Sequence, residues 1–283
     1  MKNNLKFFFP LFFLLDFVMA QDLRINRTDT INLSLKPTFY GTIKTGLGYY
    51  SYKEPNVMSI TGPMYVVSAI GGLKLNPLIK TDATLYYSRD LGRNTYDGGI
   101  MLNDGSILPH QSLSSDWYVG GKYRAGLIIG NGIDEWLVLY LGLGYRYLHN
   151  QIHGSGAYLR EQTYLYMPMG GQVKVWLFDK VRLNLDVEFR ALLLGNNISH
   201  FKDLGYDNNL HFIQNSGSGT RVTLGAEVFI TRKSSILVEG FLDYWNIGQS
   251  SKEKLYEKGI SKGSYIEPVN KTLFYGLQVG YSF

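Results

Sequence analysis

Apolar and polar side chains alternate along the last segment of the chain, Thr272 to Phe283. One face carries Leu273, Tyr275, Leu277, Val279, Tyr281 and Phe283, and the other carries Thr272, Gly276, Gln278, Gly280 and Ser282, with Phe274 as the exception. A period of two residues predicts a β-strand with one apolar and one polar face. In a transmembrane barrel the apolar face of such a strand meets lipid and the polar face lines the lumen.

Ten segments of the chain show this alternation. They cover residues 38–52, 64–75, 81–90, 115–130, 136–148, 163–177, 181–196, 219–230, 236–246 and 272–283. Most are longer than the roughly 9 to 11 residues that a tilted strand needs to cross a membrane. The pattern therefore predicts an all-β protein, a transmembrane up-and-down antiparallel β-barrel of about ten strands, with about eight or twelve as alternatives.

The connections between these segments alternate in length. The longer ones are residues 53–63, 91–114, 149–162, 197–218 and 247–271, and the shorter ones are residues 76–80, 131–135, 178–180 and 231–235. Outer-membrane barrels have short periplasmic turns and longer extracellular loops. We therefore expect both termini in the periplasm and the large loops at the cell surface.

The start of the chain has the features of a secretory signal peptide. Lys2 and Lys6 give a basic beginning, residues 7–18 are largely apolar, and small residues end at Ala20. The apolar stretch is shorter than the roughly 20 residues of a membrane-spanning helix, which is the alternative interpretation. The predicted organisation is a signal peptide at 1–20, a periplasmic lead-in at 21–36 and an outer-membrane barrel at 37–283.

The composition narrows the class of protein further. The chain has 22 Tyr, 15 Phe and 32 Gly residues and a mean hydropathy of -0.09, which fits strands with one lipid-facing and one lumen-facing side. It has no Cys, so disulfides and thiolate metal sites are excluded. The net charge of +5 is spread along the chain, so no nucleic-acid partner is predicted. No cofactor or metal site is predicted either.

The polar faces carry charges of both signs. The residues predicted to line the lumen are Lys122, Arg124, Arg146, Lys174, Arg182, Asp186, Glu188, Arg190, Arg221, Glu227, Glu239 and Asp243, with Lys44, Lys74 and Asp82 beside them. A Lys or Arg on the lipid face would cost about 2 to 4 kcal/mol at the bilayer midplane, so we expect these side chains to point inward. Side chains can fill a barrel of this size. We therefore expect paired charges to occlude the lumen, with a selectivity filter as the alternative.

Aromatic residues cluster near the predicted strand ends, mostly beside the long connections. Such rings prefer the headgroup level of a bilayer, which predicts an aromatic girdle. Tyr164, Tyr166 and Trp245 lie on polar faces and are candidates for an aromatic platform that binds a ligand.

One tripeptide is a candidate for catalysis. His153-Gly154-Ser155 resembles the H-x-S element of membrane-embedded lipases and deacylases, which implies His153 as the base and Ser155 as the nucleophile. A chance tripeptide is the alternative. The predicted architecture resembles that of the ten-stranded omptin proteases, and Asp203, Asp207 and His211 share one predicted outer loop, but the chain lacks the Asp-x-His and paired-Asp spacing of that family. An outer-membrane hydrolase is therefore the alternative function.

Several short motifs mark the C-terminal third of the chain. They are Asp243-Tyr244-Trp245-Asn246-Ile247, Glu267-Pro268, Asn270-Lys271-Thr272, Gly276-Leu277 and Gly280-Tyr281-Ser282-Phe283. Together they resemble the tail of a family of small Gram-negative outer-membrane β-barrel proteins that end in a Gly-Tyr-x-Phe strand. The resemblance implies that Val279, Tyr281 and Phe283 form the signal read by the barrel-assembly machinery.

The expected function is that of a non-enzymatic surface or structural barrel, or of a narrow porin-like channel for small solutes. The expected partners are outer-membrane lipid, the barrel-assembly machinery and an extracellular ligand at the loops. The connection 247–271 is the candidate contact surface, and a solvated loop is the alternative. It carries Lys252, Lys254, Lys258, Lys262 and Lys271 against Glu253, Glu257 and Glu267.

Overall fold

The computed structural model describes residues 38–101, 107–130, 135–154, 156–231 and 233–283. The signal peptide and the lead-in predicted at 1–36 lie outside these residues, so both remain predictions. Within the described ranges, no helix has the length and apolar character needed to cross a membrane.

Antiparallel β-strands make up most of the described chain. They are β1 (Thr38–Glu54), β2 (Met58–Lys74), β3 (Ile79–Asp90), β4 (Asn94–Met101), β5 (Ile107–Gly130), β6 (Glu135–Ile152), β7 (Leu159–Phe178), β8 (Val181–Ser199), β9 (Leu210–Gln214), β10 (Gly217–Phe229), β11 (Ser235–Ile247), β12 (Lys252–Glu257), β13 (Ile260–Ile266) and β14 (Asn270–Ser282). One short 3-10 helix, Phe201–Leu204, lies between β8 and β9.

Ten of the strands close into a barrel. Their order around the ring is β1-β14-β11-β10-β8-β7-β6-β5-β3-β2, and pairing of β1 with β2 completes the ring. Neighbours in the ring are consecutive in sequence once β4, β9, β12 and β13 are set aside, so the topology is up-and-down. The ten-stranded antiparallel barrel predicted from the alternation is confirmed.

The outward side chains form an apolar belt around the barrel. More than half of each of these side chains is exposed: Ile43, Leu47, Leu85, Leu127, Leu141, Leu143, Leu224 and Leu277. Their neighbours on the same strands point into the barrel, because successive side chains of a strand alternate between its two faces. A continuous apolar ring of this kind is what a barrel presents to lipid hydrocarbon.

Aromatic rings fill part of the inner side. Phe274, the exception to the pattern of β14, is 3% exposed and packs in a cluster with Tyr50, Tyr118 and Phe241. Its ring lies against Gly48 of β1, where a Cβ atom would sit 2.7 Å from Phe274 Cε2. Glycine on a polar face can therefore mark the close approach of an inward ring rather than an open lumen.

The connection between β1 and β2 is much shorter than predicted. Glu54 pairs with Met58, so the connection is a turn at residues 55–57 and the long loop predicted at 53–63 is wrong. Asn56 has a φ of 64°, a left-handed conformation that Asn tolerates. The prediction failed because Gly62 and Pro63 interrupt the strand pattern at the start of β2.

Four short strands lie in connections that the sequence predicted as loops. β4 pairs with both β2 and β5, β9 pairs with β8, and β12 and β13 form a separate hairpin. They have only five to eight residues each, and no clear alternation marks them. We call these four strands, with the ends of the barrel strands and the connections beside them, the rim.

Candidate functional site

Ion pairs join charged side chains in the interior, some between neighbouring strands and some across the barrel. Arg124 on β5 pairs with Asp82 on β3, with 2.9 Å between Nε and Oδ1, and with Asp186 on β8, with 3.1 Å between Nη1 and Oδ2. Lys122 on β5 pairs with Glu188 on β8. Asp82 and Arg124 lie on neighbouring strands. Because β6 and β7 separate β5 from β8 in the wall, the pairs of Arg124 with Asp186 and of Lys122 with Glu188 cross the lumen.

A second group of pairs joins β8, β10 and β11. Arg190 donates to Glu188 at 2.7 Å and to Asp243 at 3.0 Å. Arg221 donates to the other carboxylate oxygen of Asp243 at 2.9 Å. Two guanidinium groups therefore share one carboxylate.

Near the short turns, three lysines surround one carboxylate. Oε2 of Glu135 lies 3.1 Å from Nζ of Lys80 and 3.2 Å from Nζ of Lys174. Oε1 of Glu135 lies 3.5 Å from Nζ of Lys74. These cations come from β3, β7 and β2, so this group also crosses the lumen.

Two further pairs complete the interior network. Arg182 lies 2.7 Å from Glu227, and Lys44 lies 2.7 Å from Glu239. The predicted lumen residues that form ion pairs in the interior are thus Lys122, Arg124, Lys174, Arg182, Asp186, Glu188, Arg190, Arg221, Glu227, Glu239 and Asp243. Arg146 is the predicted member that stands apart.

The network leaves little open space between the side chains. A cavity of about 80 Å³ lies among them, with Lys122, Arg124, Glu188 and Asp243 in its wall. This volume has room for a few water molecules. Removing one partner of a buried ion pair typically costs about 3 to 5 kcal/mol, so such a network resists opening.

A buried arginine binds two carboxylates at the rim end of the barrel. Arg160 at the start of β7 pairs with Glu54 at the end of β1 and with Glu267 in the connection before β14. The Tyr52 hydroxyl lies 2.9 Å from Glu54 and 3.2 Å from Glu267, and Gln162 donates to the Tyr52 hydroxyl at 3.0 Å. No more than 4% of any of these five residues is exposed. We call them the Arg160 cluster.

The acids of the rim differ in how readily they ionise. Burial raises the pKa of Glu267, attraction to Arg160 opposes that shift, and repulsion from Glu54 adds to it. One guanidinium does not neutralise two buried carboxylates, so the cluster favours a proton on Glu267. On the exposed hairpin, by contrast, a hydrogen bond from Lys262 lowers the pKa of Glu257.

The aromatic residues fall into an outer and an inner set. Outward rings form a band in which Tyr65, Tyr87, Trp117 and Tyr147 follow one another with centroids 5.3 to 6.2 Å apart. This is the arrangement of an interfacial girdle.

The three candidates for a ligand platform belong to the inner set. Tyr164, Tyr166 and Trp245 are buried and pack against one another, with ring centroids 5.5 and 5.1 Å from Trp245. Arg190 covers the Trp245 ring at 5.1 Å. Their faces are therefore occupied by other side chains.

The candidate base His153 pairs with a different serine from the one predicted. His153 Nε2 lies 2.8 Å from the hydroxyl of Ser115, which is on the outward face of β5 beside Trp117. Ser155 lies outside the described residues. The described chain holds no group of three His, Cys, Asp or Glu side chains able to bind a metal ion.

Asp207, an acidic residue of the predicted outer loop, binds the backbone of the hairpin β12–β13. The carboxylate of Asp207 accepts hydrogen bonds from the backbone N–H groups of Lys258 and Gly259, at 3.1 and 2.8 Å. These residues form the turn of the hairpin β12–β13, so Asp207 fastens the hairpin to the β8–β9 connection.

The predicted assembly signal lies on the outer surface. Val279, Tyr281 and Phe283 are 52%, 48% and 59% exposed. The backbone of Phe283 both donates to and accepts from Gly41 of β1 at 2.9 Å, so the end of the chain is held at the seam of the barrel. Reading of this surface by an assembly machinery remains a prediction.

The sequence did not predict the Arg160 cluster or the interior position of Glu135, and it placed Glu267 on the candidate contact surface at 247–271, whereas Glu267 is buried. Arg160, Glu54 and Glu267 all lie in segments predicted as connections. The alternation of β1 continues past Tyr52, which was the available signal for Glu54. Glu267 lies outside every strand, so no local pattern marks it.

No protein-family model matches this sequence, and no curated protein matches it. Solved structures do match its fold. The outer membrane protease OmpT from Escherichia coli is 13% identical with a TM-score of 0.59, over 90% of this chain and 99% of that chain. The transport unit of the autotransporter AIDA-I from Escherichia coli is 11% identical with a TM-score of 0.42, over 96% of this chain and 97% of that chain. At 13% and 11% identity the similarity concerns the fold alone. The similarity to OmpT, with a TM-score of 0.59, supports the assignment of the fold.

The closed ring of ten strands, the apolar belt and the aromatic band together define the class of the molecule. It is an integral β-barrel of the outer-membrane type.

Proposed function

We propose that this protein is a closed outer-membrane barrel that acts through its extracellular rim and does not conduct solutes through its lumen. The observation that carries the proposal is the set of ion pairs between β5 and β8, Arg124 with Asp186 and Lys122 with Glu188. These pairs cross the space that a channel would need. The Arg160 cluster adds a second closure at the extracellular end.

The hairpin β12–β13 is the surface that we propose contacts a partner. Lys252, Lys254 and Lys258 are exposed on it, whereas Glu257 is paired with Lys262 and Glu267 is buried in the Arg160 cluster. Glu253 is half-buried and is the remaining acid of the hairpin, so the exposed charge of the hairpin is mainly positive. Such a surface suits anionic groups, for example the phosphates of lipid headgroups.

We also propose how the chain reaches and enters the outer membrane. Cleavage after Ala20 would deliver the chain to the periplasm, and the outward residues Val279, Tyr281 and Phe283 would be recognised during insertion into the outer membrane.

A liposome-swelling assay with the refolded full chain tests the closed lumen. We expect no sugar-dependent swelling from the wild type, nor from a variant in which a short Gly-Ser turn replaces residues 252–266, because the ion pairs lie in the barrel rather than in the hairpin. Swelling by the wild type would contradict the proposal. Swelling by the hairpin variant alone would assign the closure to the rim instead.

A second candidate function, lipid acyl hydrolysis, is kept because of the contact between Ser115 and His153. A serine hydroxyl 2.8 Å from an imidazole nitrogen is the geometry of a nucleophile with its base, and the pair faces outward near the aromatic band. If the pair is catalytic, Ser115→Ala abolishes release of fatty acid from lipid, while the control Ser112→Ala on the same strand does not. Equal release by both variants, or none by the wild type, removes this candidate.

A further inference from the structure

Among the charged residues that line the 80 Å³ cavity and a smaller cavity beside it, together with their ion-pair partners, cations outnumber carboxylates by one. Its cations are Lys44, Lys122, Arg124, Arg146, Arg190 and Arg221, and its carboxylates are Asp82, Asp186, Glu188, Glu239 and Asp243. Each of these carboxylates is ion-paired with a cation other than Arg146. The surplus charge is therefore that of Arg146.

Arg146 is buried among aromatic rings rather than acids. It is 5% exposed, and its guanidinium carbon lies 4.7 Å from the centroid of Tyr118 and 5.9 Å from that of Tyr164. Within the part of the chain that the structure describes, Arg146 forms no ion pair and its Nε has no hydrogen-bond partner. Cation–π contacts recover about 2 kcal/mol each when desolvated, whereas burying an unpaired charge costs several.

A small cavity lies beside this guanidinium. Its volume is about 10 Å³, close to that of one water-sized occupant, and Arg146, Arg190, Trp245 and Phe274 are among the residues in its wall. The fully buried Trp245 has an Nε1–H that, like Arg146 Nε, meets no acceptor in the described chain.

The small cavity also adjoins the larger one. Both have Tyr86, Tyr118, Arg190 and Asp243 in their walls, so the two cavities lie side by side. The negative charge of Asp243 does not oppose an anion here, because Arg190 and Arg221 already share that carboxylate.

We propose that this cavity is a binding site for a small monovalent inorganic anion of the halide class, held between Arg146 and Trp245. The anion accepts from the two unpartnered N–H donors and balances the surplus charge. A water molecule in the same place would accept a hydrogen bond but leave the charge uncompensated. The bound anion is therefore buried inside the folded barrel.

Bromide is the probe for the first test because its anomalous scattering locates it in a crystal. In crystals of the refolded full chain soaked in sodium bromide, we expect an anomalous peak in the cavity between Arg146 and Trp245. Surface bromide without a peak in this cavity would overturn the proposal. This test uses the wild type, so it stands even if the variants do not fold.

The second test measures stability against anion identity at constant ionic strength. A ligand that binds only the folded state stabilises it as its concentration rises. Replacing gluconate, a monovalent anion much larger than a halide, by bromide should therefore raise the unfolding temperature of the wild type, and Arg146→Gln should lose that rise. The matched control is Arg182→Gln, which removes a lumen guanidinium that is paired with Glu227 and should keep the rise. The same rise in all three proteins would show adventitious binding elsewhere and contradict the proposal.

Discussion

The cost of placing a side chain in lipid decides which side of the barrel it occupies. Leu141 is 53% exposed in the middle of β6, while Arg182 and Arg190 lie inside with carboxylate partners. The sequence predicted this division because charges and large apolar groups alternate along the strands. The same period placed Phe274 on the inner face although its side chain is apolar, and its ring packs there against neighbours on β1, β5 and β11.

Leu141→Arg tests whether position 141 faces lipid. The substitution should cost about 2 to 4 kcal/mol because it places a charge in hydrocarbon, and the fraction of heat-modifiable, folded protein on a gel should fall. The matched variant Leu141→Ala removes the same side chain without adding charge and should fold. If both variants fold equally well, position 141 does not face lipid.

Phe274→Ala tests the inner aromatic cluster. The ring packs edge-on against Phe241 at 5.0 Å and against Tyr118 at 5.9 Å. Its loss should lower the free energy of unfolding in guanidinium by about 3 to 5 kcal/mol, the range for large-to-small changes in a packed core. Phe39→Ala is the control, since Phe39 is 80% exposed. A smaller loss at 274 than at 39 would mean that Phe274 is not packed in the interior.

At the scale of elements, the long strands could be predicted and the rim could not. The strand β8 has 19 residues and alternates over most of them, with a break at Leu193 and Leu194, which are both exposed, so its period outweighs this local exception. The hairpin β12–β13 has short strands, and it is held by contacts from distant segments, among them Asp207 and Leu210. Contacts of that kind leave no periodic signal in the sequence.

Asp207→Ala tests how the hairpin is held. Removing the carboxylate leaves the N–H groups of Lys258 and Gly259 without their acceptor, so the turn should open more often. Trypsin should then cleave after Lys258 several-fold faster in the folded barrel. Asp203→Ala removes an exposed carboxylate four residues away and should leave cleavage unchanged. Equal rates in the two variants would show that Asp207 does not fasten the hairpin.

The Arg160 cluster makes the rim sensitive to pH. The raised pKa of Glu267 means that the folded rim binds a proton more tightly than the unfolded chain, so this stabilisation is complete below the ordinary value of 4.5 and is lost as the pH rises through the folded pKa. Hydrogen-exchange protection of the rim, corrected for the intrinsic rate, should therefore fall between about pH 5 and about pH 9.

Glu267→Gln isolates the group responsible. The amide keeps the shape without the charge, so the variant should lose most of the pH dependence of rim protection. Glu257→Gln, an exposed acid of the hairpin, should keep it. If Glu267→Gln and the wild type respond to pH alike, another group sets the response.

At the scale of the whole molecule, closure of the ring and closure of the lumen have different origins. The ring follows from ten alternating strands, which the sequence displays. We propose that the lumen is closed by pairs such as Lys44 with Glu239 and Lys80 with Glu135, which join residues 195 and 55 positions apart. The sequence predicted Lys44 and Glu239 as interior charges but not Lys80 and Glu135, and only the register of the strands determines which partners meet.

The closed lumen is the central claim, and single-channel conductance of the refolded full chain in planar bilayers tests it most directly. Insertion is established in parallel by heat modifiability of the protein recovered from the same lipid. The ion pairs across the interior predict a bilayer that stays electrically silent although the barrel has inserted. Steady, ion-selective conductance steps from the wild-type protein would contradict the account and would make the interior charges a filter.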